Sequence, residues 1–220
     1  MKTIVINSQK GGSGKTTLCR VLSVAAAQAS DAQSVYLIDL DATQATLTQW
    51  HESRTADEPR RVDLLPHGLP DTLAALQRNG AGYVFIDTPP HADAALDAVF
   101  GVADLVLVPV KPTPDDLKAA SVTVARLKAL NVPFLFVVTQ AIQNTNITAQ
   151  AIAALSHHGA VASSMLVNRV TYPAAFTDGR SPQEVEPKGS AAKEIRVLWS
   201  GIQTYLHTSI NPSLKAAAHG

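Results

Sequence analysis

Short continuous runs of apolar residues alternate along the chain with longer segments in which apolar residues recur every three or four positions. The short runs predict five β-strands, at residues 3–7, 35–39, 83–87, 105–110 and 134–139. Because these runs are uninterrupted, they are typical of strands covered on both faces. The pattern therefore predicts a doubly wound α/β fold, in which a mostly parallel sheet is flanked by helices.

Two further strands are predicted at residues 61–65 and 164–167, and the second precedes a loop around Tyr172 and Pro173. Residues 178–190 include two glycines and two prolines, which predicts a surface loop before a last helix at 191–206.

The length of 220 residues is typical of one domain, which we expect to span residues 1–208 and to be followed by a flexible tail at 209–220.

Composition narrows the class of protein further. With 46% hydrophobic and 16% charged residues, the chain is suited to a packed core. Eighteen basic residues balance eighteen acidic residues, so any contact with nucleic acid must come from a local patch. The single cysteine, Cys19, has no internal disulfide partner and is expected to be a small buried hydrophobe. No secretory signal or membrane span is apparent, and a cytoplasmic protein fits best.

Residues 10–17 read Lys-Gly-Gly-Ser-Gly-Lys-Thr-Thr and lie between the first predicted strand and a helix. Gly11, Gly12 and Gly14 allow the backbone to turn tightly with its N–H groups pointing inward. The helix beginning near Lys15 adds its positive dipole end. This combination predicts a phosphate cradle, and the alternative is a glycine-rich turn that only joins strand to helix.

Within this cradle, Ser13 completes the loop that surrounds the nucleotide phosphates. Lys15 is expected to reach the β- and γ-phosphates, and the hydroxyl of Thr16 to complete the Mg²⁺ shell. Thr17 is expected to contact the α-phosphate.

The loop departs from the common phosphate-loop pattern at its start. That pattern would place glycine at position 9, where this chain has Gln9, and the loop begins instead with Lys10. With this second lysine the chain resembles the ParA/MinD family of deviant Walker ATPases, most closely its small ParF-like branch. The resemblance implies ATP as the ligand. It also implies that Lys10 reaches the nucleotide of the partner subunit in an ATP-sandwich dimer, where it neutralises transition-state charge.

An aspartate ends the apolar strand at 83–87, at the edge of the sheet that adjoins the phosphate loop. Asp87 is expected to hold Mg²⁺ through water, and the turn from Thr88 to Pro90 to respond to the γ-phosphate. The alternative is an aspartate that ends a strand by chance.

Asp39 and Asp41 end another strand, and their side chains point the same way if the strand persists. The family resemblance implies that Asp41 orients or deprotonates the attacking water. It also implies that Asp39 supports Mg²⁺ indirectly, from its outer coordination shell. Alternatively, Asp41 caps the following helix. The segment before Trp50 is one residue longer than in the family pattern, so the role of Gln44 stays open.

The base is assigned from the resemblance alone. Thr139, followed by Gln140, stands where relatives often carry an asparagine-containing adenine contact. Residues 169–173, ending at Pro173, resemble the second wall of their adenine site.

Family members without a separate DNA-binding domain bind DNA non-specifically through basic residues near the C-terminus. The candidates here are Lys188, Lys193 and Arg196, and an ordinary solvated helix face is the alternative.

These features predict an ATP-dependent DNA-partition or cargo-positioning ATPase. ATP closes a homodimer, which can extend to higher assemblies. The dimer binds DNA, associating with the nucleoid, and a ParB-like or other adaptor stimulates hydrolysis. The main alternative is a MinD-like ATPase on a membrane surface, for which the C-terminal residues lack the amphipathic basic pattern. A metal-cluster enzyme would need more cysteines than Cys19, and a non-hydrolysing scaffold would not need Asp41.

Overall fold

The computed structural model describes residues 1–29, 34–65, 68–90 and 95–210. Its sheet has six strands in the order β3-β2-β4-β1-β5-β6, and every strand pair is parallel. The strands are β1 (Lys2–Ile6), β2 (Ser34–Asp39), β3 (Arg60–Arg61), β4 (Ala81–Asp87), β5 (Leu105–Val110) and β6 (Phe134–Val138).

Helices follow the strands in the order that a doubly wound sheet requires. They are α1 (Lys15–Ala29), α2 (Thr46–Glu52), α3 (Leu69–Arg78), α4 (Ala95–Gly101), α5 (Pro114–Ala129), α6 (Asn146–Ser156), α7 (Thr171–Phe176), α8 (Pro182–Val185) and α9 (Ser190–Ile210).

Helix α5 illustrates how the sequence sets these boundaries. Thr113 is its N-cap and accepts the backbone N–H of Asp116, and Pro114 occupies the first turn. Acidic residues lie in its first turn and basic residues in its last turn, as the helix dipole favours.

Both faces of the sheet are buried, as the uninterrupted apolar strands predicted. Ile4 and Ile6 of β1 belong to a core cluster with α1, α2 and α9, whereas Val5 belongs to a second cluster with α3, α4 and α5. The predicted doubly wound fold is therefore confirmed. Cys19 is fully buried within the first cluster, in agreement with its expected role.

The site is located by the strand order. The carboxyl ends of three adjacent strands meet in register, because Asp87 of β4 pairs with Ile6 of β1 and with Asp39 of β2. The connection that leaves β1 runs to β2 on one side of it, whereas the connection that leaves the adjacent β4 runs to β5 on the other side. Such a switch point is where doubly wound sheets bind ligands.

Several predicted elements need correction. The additional strand predicted at 61–65 is present, but its bounds are wrong, because only Arg60–Arg61 pairs with β2. At 164–167 only Val167 forms an isolated bridge, and Tyr172 and Pro173 lie in helix α7 rather than in a loop.

The predicted loop at 178–190 contains α8, whose first turn is closed by a capping box between Ser181 and Glu184. The last helix, α9, extends beyond the predicted bounds at both ends.

None of the helices in the described ranges is long and apolar enough to cross a membrane. From residue 211 onward, the predicted flexible tail lies outside the described residues. The single-domain boundary at residue 208 stays a prediction.

Candidate functional site

The loop between β1 and α1 has the backbone that its glycines predicted. Gly12 and Gly14 have φ angles of 70° and 98°, a region that favours glycine. Two side chains from the loop after β6 hold it from behind: the Thr139 hydroxyl donates to the carbonyl of Ser13 at 2.6 Å, and Gln140 donates to that of Gly12 at 2.9 Å. The loop is therefore fixed in shape around the start of α1.

A polar cavity opens above this loop. Gly11, Gly12, Gly14 and residues 15–17 form its base, and Asp41, Gln44, Thr46, Pro90 and Gln140 complete its wall. Lys15 is buried here, and this burial lowers the pKa of its ammonium group although Asp87 and Asp41 act in the opposite direction. A bound anion would compensate the desolvated ammonium, so the cavity suits phosphate groups.

Thr16 and Asp87 meet at the floor of the site. The Thr16 hydroxyl donates to one Asp87 oxygen at 2.6 Å, whereas the other oxygen, Oδ1, is buried and has no hydrogen-bond partner within the part of the chain that the structure describes. Burial, helped by the nearby charges of Asp39 and Asp41, raises the pKa of Asp87 to about 7 against the opposing effects of the bond from Thr16 and the charge of Lys15. A hydroxyl beside an unsatisfied carboxylate oxygen fits a hard divalent cation such as Mg²⁺.

Asp39 and Asp41 diverge in position, because β2 ends at Asp39 instead of continuing. The two oxygens of Asp39 accept hydrogen bonds at 3.0 Å from the backbone N–H of Asp41 and from the N–H and hydroxyl of Thr48 in α2. Asp41 faces the phosphate cavity, and its carboxylate accepts the N–H of Gln44. The expectation that both carboxylates point the same way is therefore wrong, since Asp39 organises the turn that carries Asp41.

Lys10 does not contribute to the phosphate cavity of its own chain. Its ammonium forms an ion pair with Asp116 of α5 at 2.7 Å, and the Asp116 side chain is only 3% exposed. Lys10 itself is 37% exposed. The loop's two lysines thus have separate surroundings, Lys15 inside the cavity and Lys10 at its outer edge.

A second cavity, of about 210 Å³, adjoins the first and shares Gly14, Thr17 and Gln140 with it. Its other walls are Thr139, residues 166–169, Tyr172, Pro173 and Phe176. Both predicted base-site residues, Thr139 and Pro173, therefore lie here, although the Thr139 hydroxyl is committed to the phosphate loop. Aromatic and apolar walls next to a phosphate site suit a planar nucleobase. We therefore call this second cavity the base cavity, and the first one the phosphate cavity.

Glu194 of α9 braces the wall of the base cavity. Its carboxylate accepts bonds from the Arg169 guanidinium and from the backbone N–H of Val167 at 3.3 Å. Tyr172 lies at the margin of this group, and its burial raises the pKa of its hydroxyl well above the usual value. The shape of the base cavity is therefore set partly by the last helix.

Three residues are among those of the site that sequence reasoning missed. Phe176 lines the base cavity, and Arg20 reaches from α1 to the carbonyl of Thr46. The ammonium of Lys111 lies 3.6 Å from where a Cβ on Gly12 would stand. Of the three, only Lys111 had a usable signal, because it directly follows a buried strand whose carboxyl end faces the site.

The three predicted DNA contacts lie together near the start of α9, away from both cavities. Lys188, Lys193 and Arg196 are all exposed, and Arg196 donates to the carbonyl of Pro187 at 2.7 Å.

Comparison with known proteins places this geometry in context. The family model described as the CobQ/CobB/MinD/ParA nucleotide binding domain matches residues 4–180. The chain is 38% identical over 128 residues to a protein named maintenance of carboxysome distribution protein A from Gloeobacter kilaueensis. It is 31% identical over 130 residues to the protein of the same name from Halothiobacillus neapolitanus. These alignments cover 57% and 58% of this chain and 56% and 58% of the relatives, so the chain matches little more than half their length.

Solved structures share the fold at lower identity. The MinD cell division protein of Aquifex aeolicus is 17% identical, with a TM-score of 0.72 over 93% of this chain and 98% of that protein. A putative plasmid partition protein from Borrelia burgdorferi bound to AMPPNP is also 17% identical, with a TM-score of 0.71 over 92% and 98% of the two chains. The matched family domain covers the phosphate loop, both cavities and the three aspartates, and this chain belongs to the CobQ/CobB/MinD/ParA nucleotide-binding family.

Proposed function

We propose that this protein is an ATP-dependent DNA-partition or cargo-positioning ATPase whose active site is shared between two copies of the chain. The observation that carries the proposal is the position of Lys10. It begins the phosphate loop, yet it lies outside the cavity of its own chain and is partly exposed. To reach the nucleotide of a second copy, its ammonium would exchange Asp116 for the phosphates of that nucleotide.

ATP with Mg²⁺ is the ligand that the two adjoining cavities fit. Bound Mg²⁺ would neutralise part of the negative charge of the phosphates. Thr16 and Asp87 would hold it, and Asp39 would support it only through water, because both its oxygens already accept hydrogen bonds. Lys15 binds the phosphates, and the wall containing Thr139 and Pro173 encloses adenine.

Hydrolysis then depends on Asp41, which faces the phosphate cavity. Its carboxylate orients the attacking water or takes a proton from it, a contribution that phosphoryl transfer requires of the protein. Lys10 of the second copy adds positive charge to the transferred group, and we therefore expect the isolated chain to hydrolyse ATP slowly.

The names of the relatives support positioning of a cargo as the class of function. One pair is named for the distribution of carboxysomes, and a structural neighbour is titled a putative plasmid partition protein. We propose that the ATP-bound dimer associates with the nucleoid in the cytoplasm by binding non-specific DNA. We further propose that a ParB-like or other adaptor stimulates hydrolysis and release.

The test compares the chain with ATP, with ADP and without nucleotide. The molar mass from light scattering should double only with ATP, and retention on unrelated DNA duplexes should appear in the same state and fall as salt rises. An unchanged mass would contradict the shared site, and nucleotide-independent or absent retention would contradict the DNA step. Binding of the ATP state to anionic lipid vesicles instead of DNA would favour the MinD-like alternative.

A further inference from the structure

Arg20 occupies an unusual place between the two cavities. It lies one turn after Thr17 on α1, and its guanidinium carbon is 4.8 Å from the ring centroid of Phe176 and 5.7 Å from that of Trp50. The same group donates a hydrogen bond to the backbone carbonyl of Thr46. Arg20 therefore touches a wall of the base cavity and the end of the turn that carries Asp41.

The charge at this position is costly to maintain. Burial lowers the pKa of Arg20 to about 10, although the charges of Asp87 and Asp39 act in the opposite direction. The Nε atom of Arg20 is also buried without a hydrogen-bond partner among the described residues. A methionine or leucine would fill the same space without these costs, so packing alone does not account for an arginine.

The turn that Arg20 holds is strained. Ala45 has a φ angle of 46°, a left-handed conformation that residues with a Cβ rarely adopt. Its N–H donates to the carbonyl of Asp41 at 2.7 Å, and the N–H of Gln44 donates to the Asp41 carboxylate at 3.2 Å. The bond from Arg20 to Thr46, the next residue, helps to keep this turn closed and Asp41 in place.

Arg20 also contacts Phe176, which belongs to the wall of the base cavity. Phe176 lines the base cavity and packs edge-on against Trp50 of α2 at 6.5 Å between centroids. A base in the cavity would restrict the Phe176 ring, which would in turn limit the positions open to the guanidinium stacked beside it.

We infer that Arg20 is a positioning residue that couples occupancy of the base cavity to the order of the 41–46 turn. A nucleotide base held against Phe176 fixes Arg20, and Arg20 fixes the turn that presents Asp41 to the attacking water. This inference rests on the proposed function, because it assigns a regulatory contact to the same nucleotide site. It predicts that phosphates alone do not order the turn fully.

Hydrogen exchange tests the coupling with two ligands that differ in the nucleoside. Mg-pyrophosphate fills only the phosphate cavity, and Mg-ADP fills both without the γ-phosphate that closes the proposed dimer. Both ligands should protect a peptide covering residues 10–18 in the wild type and in Arg20→Met. Only Mg-ADP should protect a peptide covering residues 40–49, and only in the wild type.

Turnover supplies the second measurement. ATP hydrolysis in Arg20→Met should fall about tenfold, as expected for a lost charge-assisted hydrogen bond, while ADP affinity changes less than about threefold. Arg20→Lys keeps the charge without the planar stack. Its ATP turnover should therefore lie between that of the wild type and that of Arg20→Met. Arg60→Met is the matched control, because Arg60 is 53% exposed and its removal should alter neither measurement.

The outcomes separate the two hypotheses. Equal protection of the 40–49 peptide by Mg-ADP in wild type and Arg20→Met would overturn the coupling and leave Arg20 a structural residue. Protection of that peptide by Mg-pyrophosphate to the same extent as by Mg-ADP would also overturn it. Failure of both ligands to protect the 10–18 peptide would instead contradict the nucleotide site. If Arg20→Met does not fold, Phe176→Leu supplies the same test from the other side.

Discussion

Asp41 is the carboxylate on which the proposed chemistry depends, because it faces the phosphate cavity from a turn organised by Asp39. We predict that Asp41→Ala lowers ATP turnover at least about a hundredfold, as expected when the group that positions the water is removed. Nucleotide affinity should change little, since Lys15 and the loop N–H groups remain. Steady-state phosphate release and ADP titration measure the two quantities.

Asp63→Ala is the control for this substitution. Asp63 has a side chain that is 80% exposed and pairs with Arg61 on the surface, so its loss should leave turnover unchanged. Equal turnover in the wild type and Asp41→Ala would refute the role of Asp41.

Asp87 gives the metal-free protein a pH dependence that can be assigned a sign. Its pKa is raised from 3.8 to about 7 by burial, so the folded state holds the proton more tightly than the unfolded state does. The free energy of unfolding should therefore fall by up to about 4 kcal/mol as the pH rises from 3.8 to about 7. Above about pH 7 it should level off. Chemical denaturation in a chelator, at several pH values, measures it.

Asp87→Asn removes the ionisable group but keeps an acceptor for the Thr16 hydroxyl. The decline in stability with pH should flatten in this variant, and the stabilisation by Mg-ADP should shrink because a metal ligand has been lost. A variant that keeps the full pH dependence would show that another group causes it. A variant stabilised by Mg-ADP as strongly as the wild type would contradict the metal role.

At the scale of elements, the phosphate loop is tied to α5 by Lys10 and Asp116. We predict that Lys10→Gln retains nucleotide binding but weakens ATP-dependent dimerisation and turnover. It should also destabilise the single chain by roughly 1–3 kcal/mol, because the buried Asp116 carboxylate loses its cation. Light scattering, phosphate release and denaturation measure these three effects.

A double variant separates the two roles of this lysine. Lys10→Gln with Asp116→Asn should recover most of the lost stability, because no unpaired charge remains, yet it should not recover dimerisation. Recovery of dimerisation would indicate that Lys10 acts only through α5 within its own chain.

Elements defined by local pattern could be predicted, and those defined by distant partners could not. The strand ending at Asp87 and the loop at 10–17 carry their signal in consecutive residues. By contrast, β3 pairs with β2 only at Arg60 and Arg61 before the chain turns away, so the β-favouring Val62, Leu64 and Leu65 misled the prediction of its bounds. Helix α7 was missed because Tyr172 and Phe176 are held by contacts with α9 and α1.

The same distinction applies to the whole site. The phosphate loop and Asp87 follow from sequence, whereas Arg20, Glu194 and Asp116 act across distances that no short motif records. Asp39 was recognised, but its orientation was not, because that depends on where β2 ends. The sequence motifs therefore predicted the position of the candidate site. The long-range contacts that fix the positions of its side chains could be identified only in the folded chain.

At the scale of the whole molecule, the balanced charge means that the proposed DNA binding must come from a local basic patch. The residues that we propose for this patch are Lys188, Lys193 and Arg196, which are exposed near the start of α9. We predict that changing all three to glutamine reduces ATP-dependent retention on unrelated duplexes and lowers the slope of log affinity against log salt by up to roughly 3, since each lost phosphate contact removes about one unit. ATP-driven dimerisation and basal hydrolysis should be unchanged, because the patch lies outside both cavities.

Lys118→Gln with Lys128→Gln is the matched control, because both lysines are exposed basic residues on α5, a helix of the opposite sheet face. If DNA is held by general positive charge, the control and the triple variant should lose affinity in proportion to the charges removed. If the patch near the start of α9 is the contact, only the triple variant should show the lower slope of log affinity against log salt. An unaltered slope in the triple variant would place the DNA contact elsewhere and leave these residues a solvated helix face.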